Sequence, residues 1–295
     1  MITDNELILL NKRGFIPGPD ESEEDFIKRV DYCLNLKKDF STKLAEHLPL
    51  NLTDMPLEIS EKVDTVTREL FDIILNWVPV VLSDYKMTPW HGGCAWIFEM
   101  TPETPTGAFF QLRKVFSRKP TYLYIYNRDE IVEHESAHVG RMKFNEPKFE
   151  EYFAYQTADS GFRKWFGPII QSPWEALAFF IILIFCTVGD LYLTYFGVRD
   201  PAWETAISWL INIDILLLIL GVVRLYIRHR QLTLCHQNLE RLLNSPLKAR
   251  HVAYRLKDSE IIAFSKMDEA EIFDYAEREK DRSLRWKVIY KSYFC

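Results

Sequence analysis

The chain has 295 residues, 48% of them hydrophobic and 14% aromatic, which is enough apolar material for one large core or two small ones and argues against a disordered chain. A formal net charge of -6 and a pI near 5.7 leave no basic surplus to neutralise phosphates, so no nucleic-acid partner is expected. Cys33, Cys94, Cys186, Cys235 and Cys295 are an odd, scattered set with no C-x-x-C pair, a pattern that speaks against a disulfide framework and a thiolate metal site and suits a reducing compartment.

At the amino end, "MITDNELILL" is acidic where an export signal would be basic, and its apolar run is too short for one, so no cleaved signal is expected. Residues 19–40 and 60–78 show helical apolar spacing behind acidic first turns. "CAWIFEM" (94–100), "AFFQLRKVF" (108–116) and "TYLYIY" (121–126) are aromatic and branched runs bounded by Gly, Pro and Thr, and read as strands.

The segment that follows carries the chemistry. "NRDEIVEHESAHVGRM" predicts a helix with Asn127 as N-cap and Glu130 completing a capping box. On that helix His134 and His138 project from one face a turn apart, the spacing at which two imidazoles can hold one metal ion. Glu135 lies about 100° round from His134, beside the metal, where it suits a general base for a zinc-bound water. Asn145 to Pro147 break this helix and start another, since Pro is favoured at a first helical position. About 7.5 Å of rise from His138 to Lys143 and about 6 Å of return from Pro147 bring Glu151 level with the histidines. Glu150 competes for the role of third ligand. On a helical wheel Glu151 shares a stripe with Ala154, Tyr155, Ala158 and Phe162, whose alanines allow close helix approach, and Glu150 falls nearer Thr157, so Glu151 is chosen. Two imidazoles and one carboxylate leave a fourth position for water, the arrangement of catalytic zinc.

His134-Glu135-Ser136-Ala137-His138 followed by Glu151-Tyr152-Phe153-Ala154 resembles the gluzincin metallopeptidases, over about a tenth of the chain. That resemblance implies zinc held by His134, His138 and Glu151, with Glu135 activating water to hydrolyse a peptide bond. It also implies a strand, expected at "GAFFQLRK" (107–114), that aligns a peptide by backbone pairing. Tyr155 stands where the family often has an aspartate that orients a histidine, and Asp159, a turn further on, is the expected substitute. Tyr152, Tyr155, His251 and Tyr254 are all candidates for stabilising the oxyanion. His91, in a turn, reads as structural.

Residues 173–197 and 205–227 are each about as long and apolar as a membrane-crossing helix needs to be, and the short "VRDPAWE" loop makes them a hairpin. The alternative is a buried soluble hairpin. Arg163 and Lys164 before the pair, and Arg224, Arg228 and Arg230 at its end, place both termini and the active site on the cytoplasmic side. Trp174, Trp203 and Trp209, together with His229 and His236, read as interfacial residues. Asp190 and Asp214 count to roughly similar depths and could face each other; a hydrogen-bonded helix contact is favoured over a proton relay.

The whole reads as an α+β chain. It comprises a mostly helical, zincin-like metallopeptidase domain with a small mixed sheet over 1–165, a transmembrane helical hairpin over 173–227, and a charged cytoplasmic helical region over 230–295. The expected function is a membrane-anchored, zinc-dependent endopeptidase whose protein or peptide substrates lie near the lipid bilayer. The alternative is a non-catalytic membrane-tethered scaffold whose carboxy-terminal helices bind partners.

Overall fold

The computed structural model describes residues 2–43, 58–99, 104–170, 173–197 and 201–295. Helix α1 (Asp4–Lys12), which the sequence reading missed, begins at a complete capping box: Thr3 Oγ1 accepts from Glu6 N and the Glu6 carboxylate accepts from Thr3 N. Helix α2 spans Glu23–Lys43 and α3 spans Glu61–Phe71. The helix expected over 60–78 stops at Phe71 because Asp72 turns left-handed, with φ 55°, and the chain continues into the short strand β1 (Val80–Leu82).

Strands β2 (Gly93–Phe98) and β3 (Gly107–Leu112) complete a mixed three-stranded sheet in the order β1-β3-β2, with β1 parallel and β2 antiparallel to β3. The run expected as a strand to residue 116 ends at Leu112, and Lys114–Ser117 form a 3-10 turn. "TYLYIY" is not one strand: β4 (Thr121–Tyr122) and β5 (Tyr126–Asn127) form a tiny antiparallel hairpin around residues 123–125.

Helices α4 (Arg128–Gly140) and α5 (Pro147–Ala154) are the two expected around the motif. The α5 stripe is shorter than expected, since a 3-10 turn over Tyr155–Thr157 ends it before Ala158, and Phe162 belongs to α6 (Gly161–Phe166). Helices α7 (Pro173–Phe196) and α8 (Pro201–Leu243) form the apolar pair, and α9 (Pro246–Tyr254), α10 (Asp258–Phe264), α11 (Glu269–Glu279) and α12 (Leu284–Ile289) follow. The hairpin loop residues 198–200, including Arg199 and Asp200, lie outside the described residues.

The soluble stretches before and after the apolar pair share one core. Phe15, Phe71, Ile73 and Phe153 pack in the same cluster as Leu232, Leu239, Tyr254 and Trp286. The 43 residues of α8 make this possible: a helix of about 64 Å runs from the apolar hairpin into the soluble body. One buried ion pair and one buried hydrogen-bonded arginine fix the carboxy-terminal helices. Glu260 accepts from Arg285 Nη1 and Nη2 at 2.9 and 2.8 Å, from Trp286 Nε1 at 2.7 Å and from Lys257 N at 2.7 Å. Arg255 donates to Asn11 Oδ1 at 2.7 Å and to the Phe71 carbonyl at 2.8 Å, tying these helices to α1 and α3.

Helices α7 and α8 contain windows of mean hydropathy 2.3 and 2.4, of which only 6% and 11% is buried, unlike the core helices of a soluble protein. Arg224 of α8 joins the pair to itself and to the body: it bonds Glu175 Oε1 of α7 at 2.6 Å and the Ile169 carbonyl at 2.8 Å. Trp203, expected at an interface, packs on Gly189 and Phe185. That contact also corrects the reading of the aspartates. With Gly189 against Trp203 and Ile207, Asp190, one residue nearer the turn, lies level with about residue 204, roughly 15 Å along the axis from Asp214, so the two do not face each other. His229, expected at an interface, stacks on Trp165 and meets the Tyr152 ring edge-on, docking α6 and α5 on α8.

Candidate metal centre

Helix α4 is buried on nearly every side, and two glycines allow its close packing. A Cβ on Gly93 would lie 2.8 Å from Ile131 Cγ2 of α4 and 2.6 Å from Leu112 Cδ2, so only glycine lets β2 approach the helix there. A Cβ on Gly140 would lie 2.1 Å from the Tyr254 hydroxyl, which donates to the Ala137 carbonyl at 2.8 Å and locks the turn that carries His138. Asn127 caps α4 by accepting from Asp129 N at 3.0 Å. The expected reciprocal bond from Glu130 is absent from the described hydrogen bonds. Its carboxylate instead accepts from Asp159 N at 3.2 Å and Arg163 at 2.7 Å.

Three of the expected residues converge. One ligand atom each from His134, His138 and Glu151 lies within 4.8 Å of the others. His134 Nε2 faces Glu151 Oε2 at 3.7 Å, and His138 Nε2 faces Glu151 Oε1 at 3.7 Å. A tetrahedral ion with bonds near 2.1 Å separates its ligand atoms by about 3.4 Å, so small side-chain shifts suffice to close this set on one ion. The donor set, two imidazoles and one carboxylate, fits zinc and could hold it.

The remaining ring positions are also occupied. His138 Nδ1 bonds Glu150 Oε1 at 2.8 Å, which fixes the ring so that Nε2 points at Glu151. The His134 ring bonds the Ala154 carbonyl. Glu150, weighed above only as a rival ligand, is therefore an orienting residue. Asp159, expected in that role, lies 3.8 Å from Lys62 instead.

Electrostatics separates the two histidines. Burial, helped by the charges of His138 and Arg163, pushes His134 down to about 3, so it is a neutral donor. Burial opposes charge on His138 as well, but the Glu150 hydrogen bond and the Glu135 and Glu151 carboxylates outweigh it and raise that ring to about 9. Glu135 and Glu151 are both shifted upward, chiefly by burial. A divalent cation would stabilise both charged carboxylates at once.

Glu135 is held by the sheet: Ala95 N donates to its Oε2 at 2.8 Å. This places the edge strand β2 along the metal centre and corrects the strand assignment. Residues 107–114 cannot align a peptide by backbone pairing, because β3 is the central strand and pairs on both sides. β2 is the edge strand beside the site.

Of the four tyrosine and histidine candidates, only Tyr155 lines the cleft, with its ring 4.8 Å from that of His134. Tyr152 and Tyr254 are buried in the core, and His251 bonds the Glu69 carbonyl at 3.0 Å. His91 bonds Thr88 Oγ1 at 3.1 Å, as a turn residue does, yet it also lines the cleft. That cleft, about 1170 Å³, runs from His134, Glu135 and Glu151 to Ala176, Leu177 and Phe180 of α7. The site was expected close to the apolar pair; α7 itself lines the cleft.

No family model, curated protein or solved structure matches the chain.

Proposed function

We propose that this chain is a membrane-anchored zinc endopeptidase, with α7 and α8 crossing the bilayer and the active site on the cytoplasmic side. The observation that carries this reading is the convergence of His134, His138 and Glu151 within 4.8 Å in an open cleft that also contains Glu135. Zinc held there would supply Lewis acidity and lower the pKa of a water.

The chain's own groups would do the rest. Glu135, positioned by Ala95 N, takes a proton from the attacking water and delivers it to the leaving amine. Tyr155 is the cleft residue suited to donate a hydrogen bond to the oxyanion. A substrate strand would add to the free edge of β2, extending the sheet by backbone hydrogen bonds. Because the cleft reaches α7, substrates close to the membrane suit it best. The cations at both ends of the apolar pair support the cytoplasmic orientation.

The scaffold alternative needs carboxy-terminal helices free to bind partners, yet these bury Tyr254, Ile261, Phe264 and Trp286 in the shared core. The test is Glu135→Gln in the full chain reconstituted in vesicles and offered a peptide library. Wild type cleaves, and the variant keeps its metal and does not. Cleavage retained by the variant removes Glu135 from the mechanism.

A further inference from the structure

We infer that the β4–β5 hairpin tip is a lipid-contact site that dips into the anionic face of the bilayer beside α7, so that the cleft opens onto the membrane surface. This rests on the reading that α7 and α8 span the membrane.

Leu123, Tyr124 and Ile125 form the tip and are 51%, 100% and 63% exposed, three consecutive large apolar residues facing solvent. Leu123 and Tyr124 also adopt left-handed backbone, with φ 51° and 60°, where glycine or asparagine is at ease and a bulky side chain is strained. A strained turn that keeps apolar side chains at its apex points to a use for those side chains. The base of the hairpin is rigid. Tyr122 stacks on Tyr126, lies under the Arg113 guanidinium and donates to the Pro89 carbonyl at 2.6 Å, so the tip is a fixed protrusion. Trp90, 62% exposed, extends the apolar patch from the turn that Tyr122 holds.

Two observations select a lipid surface as the occupant. Lys114, Arg118 and Lys119 are all exposed just before the hairpin, so cations flank the apolar tip as a headgroup layer requires. The patch also borders the cleft that α7 lines: Trp90 and Tyr126 share it with Ala176, Leu177 and Phe180 near the start of α7.

The test places an environment-sensitive fluorophore at Tyr124→Cys, or separately at Ile184→Cys in the middle of α7, in the full chain lacking Cys94 and Cys295, the two native cysteines that are not buried. Each protein is reconstituted in phosphatidylcholine vesicles with or without phosphatidylserine, using plain or brominated chains. The inference expects emission from position 124 to fall roughly twofold or more with bromines set about 5–10 Å below the headgroups, more so with phosphatidylserine, and the loss to vanish in Leu123→Asp/Ile125→Asp. Quenching at 184 without quenching at 124 overturns the inference and leaves the spans intact. Unchanged emission at 184 overturns the spans and the inference with them.

Discussion

The Ala95 amide donates to Glu135 Oε2 across 2.8 Å, so the edge strand of the sheet holds the residue that would move the proton. That bond points away from β3, and removing it leaves the strand's pairing intact. Ala95→Pro is therefore expected to fold, as proline is tolerated on an edge strand, and to lower cleavage by up to about a hundredfold through a misplaced base. Circular dichroism and steady-state kinetics on the same preparation check both halves.

Glu150 orients His138 through Nδ1, and its loss frees the ring to rotate away from Glu151. Glu150→Ala is expected to weaken zinc binding by about 10–100-fold, and Glu150→Gln, which keeps an acceptor, by less. Competition against a chromophoric chelator measures this. Equal loss in both variants would show that charge, and not orientation, matters there.

Zinc affinity depends on pH through the same ring. His138, raised to about 9 by Glu150, Glu135 and Glu151 against the cost of burial, carries a proton at neutral pH that a metal must displace. Affinity is thus expected to rise by about tenfold per pH unit from pH 7 towards 9 and to level off above it. His134, pushed down to about 3, adds no slope in that range. Isothermal titration in buffers of different ionisation enthalpy counts the released proton directly.

Much of the site was legible because it depends on local periodicity: the four-residue spacing of His134 and His138 and the helix break at Asn145 to Pro147 fix where Glu151 returns. What was missed depends on tertiary contact. Glu150 and Glu151 are neighbours in sequence and differ in role only because one meets Nδ1 and the other Nε2 of His138. Strand order is equally non-local: nothing in the sequence shows that residues 107–112 pair on both sides while 93–98 lie at an edge. α1 is hidden because Thr3 and Glu6 cap a run too short to show a period, and the shared core because the change from apolar to charged residues after 227 resembles a boundary, although no Gly or Pro interrupts α8 there.

Glu260 anchors the carboxy-terminal helices to the body, with burial opposing its charge and Arg285 more than restoring it, so its pKa lies below the ordinary value. Its contribution is present above the unfolded carboxylate's pKa and is lost as pH falls through the depressed folded value. Glu260→Ala leaves Arg285 buried without its partner and is expected to cost about 3–5 kcal/mol, read by urea unfolding in detergent. A loss below about 1 kcal/mol, the level of an exposed pair, would contradict this role.

The central claim is that two imidazoles and Glu151 share one ion. Zinc content of the purified full chain, set beside that of His134→Ala, His138→Ala and Glu151→Ala, tests it most directly. About one zinc per wild-type chain and a large loss in each variant are expected. Wild type without zinc after mild handling, or His138→Ala with unchanged metal content, would contradict it.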